Sequence, residues 1–261
     1  MKKRLLIDLT VVIIIPLLVF LAVFLLGWQI NYFTSLLLIF GVPSLYLSLR
    51  SGERVGKVAL FSLFVSIPLA LISELIAFGE KAWSVPKSLF SFRLFGFSPI
   101  ENYIWMFLVT YLVLIFYEHF YDKYFQKKMS KRINIMNYIM YTATLLILIV
   151  FIVKPFYLII PYSYIWLGTI LLLIPSIIFL IKYSKFFWNF FKVSLFFFYT
   201  HLIFELIGVK LSHWTYPGLN YIGMISILGI KFPFEEFFFV FIVGGFAALS
   251  YYEFFTNKKL K

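Results

Sequence analysis

Cysteine is absent, so disulfides, iron–sulfur clusters and thiolate zinc sites are excluded. Aspartate is confined to Asp8 and Asp122, and no Asp-Asp-Xaa-Xaa-Asp run exists to hold a magnesium–pyrophosphate substrate. Histidine is limited to the scattered His119, His201 and His213, which gives no metal-ligand spacing and no expected metal. No Gly-Xaa-Gly-Xaa-Xaa-Gly run occurs, so no flavin or nicotinamide cofactor is expected. Charge is scarce as well. Only 13% of the 261 residues are charged, against about a quarter in a soluble domain. Such a chain has too little polar surface to face water.

What is present is apolar: 63% of the residues are hydrophobic and the mean hydropathy is +0.98. A helix needs roughly 20 apolar residues to cross the hydrocarbon core. Eight such runs are expected, at 5–27, 31–49, 57–79, 100–121, 134–153, 160–182, 187–208 and 233–255. The first follows Met1-Lys2-Lys3-Arg4, reaches about Leu26 and lacks a small-residue cleavage pattern. It reads as a retained helix, not a signal peptide. Pro16, Pro68 and Pro175 fall inside spans, where neighbours must satisfy the freed carbonyls. The expected fold is an all-α, multi-pass protein of the cell membrane, with the bilayer as its first partner.

The net charge of +12 sits in the short connections, which fits insertion topology and lipid headgroups, not nucleic acid. If the spans alternate, one side receives 17 Lys and Arg and the other 6. The positive-inside rule then makes the first side, with both termini, cytoplasmic.

The chain also matches itself. Glu74-Leu75-Ile76 recurs as Glu205-Leu206-Ile207, an offset of 131, and at that offset Trp83 becomes Trp214 and Pro86 becomes Pro217. Gly96 and Pro99-Ile100-Glu101 are answered by Gly229 and Pro233-Phe234-Glu235, and Tyr117-Glu118 by Tyr252-Glu253. Fixed-period self-similarity is the mark of a repeat. Two four-helix halves, 1–130 and 131–261, are expected in the same orientation, with equivalent residues facing one another across a central cavity.

Five carboxylates fall at one membrane level: Glu74 and Glu205 end the third and seventh spans, while Glu101, Glu235 and Glu236 open the fourth and eighth. Helix capping alone would explain a single acid after proline. It does not call for a repeated partner Glu on another helix, and ionisable groups at membrane depth mark function. His201, one turn before Glu205, reads as a satisfied His–Glu neighbour. Trp83 and Trp214 lie between the Glu-bearing helix end and Pro-Xaa-Glu. There a π face can stabilise a cation without adding a nucleophile, or serve an interfacial belt. Glu118 and Glu253, beside lysines at the inner ends, read as interfacial ion pairs.

The ordered pattern Glu…Trp-Xaa-Xaa-Pro…Gly…Pro-Xaa-Glu…Tyr-Glu, from Glu74 to Glu118 and again from Glu205 to Glu253, resembles the membrane-integral lycopene cyclase domain family in its fused two-repeat form. That family's Pro-Xaa-Glu is usually followed by a second acid. Pro233-Phe234-Glu235-Glu236 has it, whereas Asn102 stands at that place in the first copy. The resemblance implies a redox-neutral, cofactor-free cyclisation of the acyclic end of a hydrophobic carotenoid to an ionone-type ring. It implies Glu235 as principal acid with Glu236 as its partner, and Glu101, Glu74 and Glu205 as the second carboxylate set. Neighbouring carboxylates can share a proton and so divide the acid and base roles. A non-catalytic carotenoid or isoprenoid carrier, and a proton-coupled transporter, remain alternatives.

Overall fold

An α-helix satisfies its own backbone within one segment, as hydrocarbon requires, and the computed structural model is built mostly of helices. It describes residues 3–122, 126 and 129–260. Eight helices are long and apolar enough to cross a membrane: α1 (Lys3–Leu25), α2 (Tyr32–Ser51), α3 (Arg54–Glu80), α4 (Ile100–Phe120), α5 (Arg132–Val153), α6 (Ser163–Lys182), α7 (Ser184–Lys210) and α8 (Glu236–Thr256). The protein is therefore a multi-pass membrane protein of nearly all-α fold. Of the basic residues counted on the 17-residue side, Lys2, Lys123, Lys127, Lys128 and Lys261 lie outside the described residues.

The helices divide into a core and a skirt. Most of α4 and α7 is buried, whereas α5 and α6 show most of their surface. Lipid covers a face as apolar as a core, so Leu145, Ile149 and Ile178 remain on the surface. Pairs of contacts recur between the halves: α3 packs on α4 as α7 does on α8, and α2 on α4 as α6 does on α8. Across the halves α1 packs on α7 while α5 packs on α3.

Prolines shape the helices at equivalent places. A π-helical segment, Leu37–Gly41, precedes Pro43 in α2, and another, Gly168–Leu173, precedes Pro175 in α6. Proline lacks the N–H of a regular turn, and a wide π turn is one way to absorb that loss. Val42-Pro43-Ser44 and Ile174-Pro175-Ser176 are a further repeat match at offset 132.

Between α3 and α4, and again between α7 and α8, the chain forms a short antiparallel hairpin. One joins β1 (Arg93–Leu94) to β2 (Ser98–Pro99), the other β3 (Met224–Ile227) to β4 (Ile230–Pro233). Both turn on two residues of positive φ, Phe95-Gly96 at 55° and 80° and Leu228-Gly229 at 51° and 78°. That pair of angles is the hairpin turn whose twist matches the strands, and glycine meets it without steric cost. Each hairpin brings the chain back to a proline and then to the glutamate that opens the next helix.

Candidate functional site: two carboxyl clusters at one end of the bundle

The last turns of α3 and α7 each present a glutamate to the tryptophan nine residues later. Trp83 Nε1 donates to Glu74 Oε1 at 3.0 Å, and Trp214 Nε1 donates to both oxygens of Glu205 at 3.2 Å. The loop closes tightly because Gly208 leaves room for the indole. A Cβ there would lie 2.0 Å from the Trp214 ring. Between the two tryptophans the loops meet each other: Ser84 N–H donates to Thr215 O (2.9 Å) and Thr215 N–H to Ser84 O (2.8 Å). Residues 84 and 215 differ by the repeat offset, so this is a self-complementary contact of the kind a twofold axis produces.

Other cross-half pairs follow the same rule. Tyr32 stands edge-on to Trp214 at 5.4 Å, and Tyr164 edge-on to Trp83 at 5.5 Å. At the opposite end Tyr117 donates to Glu253 at 2.7 Å, while Tyr252 donates to Glu118. Glu118 is fully buried and also takes Lys57 Nζ at 3.1 Å, so it is an ion pair within the bundle. Glu253 is held by Tyr117 and Asn257, at 2.7 Å each, and makes no salt bridge among the described residues. The interfacial ion pairs expected of both glutamates are thus replaced by one buried ion pair and one neutral clasp.

The carboxylates that follow the prolines divide in a way their adjacency dictates. Neighbouring residues on a helix point about 100° apart, so Glu235 and Glu236 cannot face one site together. Glu235 turns to its own loop and accepts the Ile222 N–H at 2.5 Å. Its counterpart Glu101 does the same more fully, accepting Ser88 Oγ at 2.7 and 2.8 Å, Leu89 N–H at 2.7 Å and Phe90 N–H at 3.4 Å. Both are fully buried, and each pins the loop ahead of its hairpin.

The next residue of each pair faces inward. Asn102 Nδ2 donates to Glu74 Oε1 at 2.7 Å, and the Tyr32 hydroxyl donates to Asn102 Oδ1 at 2.9 Å. At the equivalent place Glu236 is hydrogen-bonded to Tyr164 and lies within electrostatic range of Glu205, whose Oε1 also accepts the Tyr216 hydroxyl at 2.8 Å. The structure therefore assembles Glu74, Asn102, Tyr32 and Trp83 as one cluster, and Glu205, Glu236, Tyr164, Trp214 and Tyr216 as the other. The sequence pointed to the glutamates and tryptophans. Tyr32 and Tyr164 went unread, although they too stand at an offset of 132.

A cavity of about 640 Å³ lies beside the first cluster, between α3, the end of α5 and the 81–99 loop. Glu74, Asn102 and Trp83 line its polar end, and Phe78, Phe97, Phe151 and Phe156 its walls. Phe78 and Phe156 are exposed, so the cavity opens at the apolar surface of the bundle. Neither Glu101 nor Glu235 lines it, contrary to the expectation that equivalent glutamates would share a cavity. In the other half Phe20, the counterpart of Phe151 at offset 131, stacks on Phe24 at 4.3 Å beside the Leu206–Phe232 cluster, and Tyr216 stands at the position that is Val85 in the first half.

His201 is buried in the bundle below Glu205. Its Nδ1 bonds to Phe197 O at 3.0 Å, not to Glu205, and its ring stacks on Phe197. The expected His–Glu bond is thus replaced by a bond to its own helix. Among the described residues no group of His, Asp or Glu is placed to hold a metal ion. No family model, no curated protein and no solved structure matches the chain.

Proposed function

We propose that this protein is an acid–base isomerase that cyclises the acyclic end of a carotenoid-type polyene taken from the bilayer. One observation carries the reading: Glu74 stands at the polar end of an aromatic cavity that opens at the apolar surface of the bundle. Both N–H bonds, from Trp83 and Asn102, fall on Oε1, and the Ser98 hydroxyl is also hydrogen-bonded to the carboxyl, so the acid is held in one orientation at the cavity's polar end.

The reaction needs no electron transfer. Glu74 gives its proton to the terminal double bond, leaving a tertiary cation. The next double bond attacks that carbon, a ring C–C bond forms, and the positive charge moves to the neighbouring ring carbon. Glu74, now a carboxylate, removes a proton from the adjacent carbon, which restores a double bond and the acid. Phe78, Phe97 and Phe151 offer π faces and no nucleophile, so they stabilise the cation without trapping it. Trp83 and Asn102 fix the carboxyl in place, the positioning on which general acid catalysis depends.

This assignment moves the principal acid from Glu235, which holds its loop, to Glu74. Glu205 and Glu236 form the twin site, where the Tyr216 hydroxyl bonds to Glu205. The two halves, 1–130 and 131–261, are read as twofold-related repeats, set in the cell membrane with both termini cytoplasmic. Expression in a host that accumulates an acyclic carotenoid separates the outcomes. Cyclised pigment supports the enzyme, and unchanged pigment co-purifying with the protein would make it a carrier instead.

A further inference from the structure

The cavity carries cations that its chemistry on a neutral polyene does not use. Lys81 and Arg93 line it beside the aromatic walls. Lys154 caps α5 immediately before Pro155 and Phe156, which also line it. Of the six basic residues assigned to this end of the bundle, two, Lys81 and Arg93, line this one opening. Arg93 is held in place: its two terminal nitrogens donate to Phe97 O and Val85 O, each at 2.9 Å, and its remaining N–H groups are available to a ligand. The acids nearby are already engaged, Glu74 with Trp83 and Asn102, and Glu80 with Ser163 N–H and Asn220.

The twin half shows that the fold does not require these cations. By strand register Met224 stands where Arg93 does, since each is paired with the proline before the next helix. Ser212 stands where Lys81 does, with nearly the same left-handed φ of 56° against 55°. In that half Tyr216 stands at the position of the cavity-lining Val85. The pair of cations at the cavity therefore belongs to one half.

We propose that the mouth of this cavity binds one anionic phospholipid from the leaflet on the Glu74 side. Its phosphate sits between Lys81 and Arg93, and an acyl chain lies along the exposed rim at Phe156, clear of the Phe78, Phe97 and Phe151 faces. Basic residues between transmembrane helices, with an apolar groove beneath, recognise lipids in this way. The site is independent of cyclisation: it depends on the cavity and the cations and not on any reaction at Glu74.

Native mass spectrometry of the full chain in detergent tests it, with phosphatidylglycerol, phosphatidylcholine and inorganic phosphate titrated in turn. One phosphatidylglycerol is expected to remain bound where phosphatidylcholine is lost, with inorganic phosphate at least tenfold weaker. Lys81→Ser and Arg93→Met, each copying the twin half, are expected to weaken phosphatidylglycerol at least tenfold. Lys231→Gln, on the other hairpin, should leave it unchanged. Equal retention of both lipids, equally tight inorganic phosphate, or full binding in Lys81→Ser would overturn the proposal. Because Arg93→Met also removes two loop hydrogen bonds, Lys81→Ser, whose side chain makes none among those described, is the deciding variant.

Discussion

Removing the Glu101 side chain separates a loop clasp from a catalytic acid. Glu101 takes three donors, and two of them, Leu89 N–H and Phe90 N–H, are backbone groups of a loop whose side chains are exposed. A hydrogen bond to a charged group contributes about 1.5–3 kcal/mol, and an exposed donor recovers part of this from water. Glu101→Ala should therefore weaken the local structure by about 1.5–3 kcal/mol in total, the Phe90 bond at 3.4 Å adding little. At 1.4 kcal/mol per tenfold, amide exchange across residues 87–92 should quicken by about 10- to 150-fold. Exchange read by mass spectrometry on the protein in detergent gives this number directly, with α4 as the internal reference. Glu101→Gln keeps an acceptor and should fall between the two, with cyclisation reduced less than tenfold. Unchanged exchange in Glu101→Ala, or a 10²-fold or greater loss of product in Glu101→Gln, would refute the clasp and return Glu101 to the chemistry.

Four further outcomes follow from the same geometry. Tyr117→Phe and Tyr252→Phe each remove one of the hydrogen bonds to a buried glutamate, Asn257 and Lys57 remaining, so each should cost about 1.5–3 kcal/mol by thermal unfolding. A harmless result in either would break the reciprocal pairing. Gly208→Ala places a methyl 2.0 Å from Trp214 and should cost about 1–3 kcal/mol, while Ala77→Gly at the equivalent site should cost less; equal melting temperatures for Gly208→Ala and wild type would contradict the tight loop. Burial, aided by Lys87, holds the His213 imidazole below the usual histidine range, with its Nε2 2.8 Å from Ile30 O. A base depressed on folding contributes stability above its unfolded value near 6.5 and loses it as pH falls, so a pH titration of unfolding should show stability dropping below about 6.5, a drop that His213→Gln flattens. Val85→Tyr copies Tyr216 and should fill the cavity, abolishing pigment binding in a protein that still folds; retained binding would place the pigment elsewhere.

The bundle was legible because membrane helices announce themselves by run length, and all eight expected spans match helices to within a few residues. The expectation of a duplication rests on rare residues, Glu, Trp, Pro and Gly, that recur in order. The glutamate–tryptophan pairs could be anticipated as neighbours because a helix end and a short loop join them. Which of Glu235 and Glu236 faces inward could not be read from composition, since a one-residue shift on a helix turns a side chain through about 100°. Tyr32 and Tyr164 stayed hidden because tyrosine is common in this chain, so a match at offset 132 stands out less than a match between tryptophans. The cavity beside Val85 was not legible because its walls, from α3, the end of α5 and the 81–99 loop, meet only once the chain is folded.

Proton origin tests the central claim most directly. The purified protein in lipid is given an acyclic carotenoid in D2O, and the product is separated by chromatography and weighed by mass spectrometry. If Glu74 delivers an exchangeable proton to the terminal double bond, the wild type yields a cyclised isomer carrying deuterium at the protonated end group. Glu74→Gln keeps an acceptor for Trp83 and Asn102 and should form that product about 10² to 10⁴-fold more slowly. A cyclised product without deuterium, full activity in Glu74→Gln, or unchanged pigment from the wild type would contradict the account.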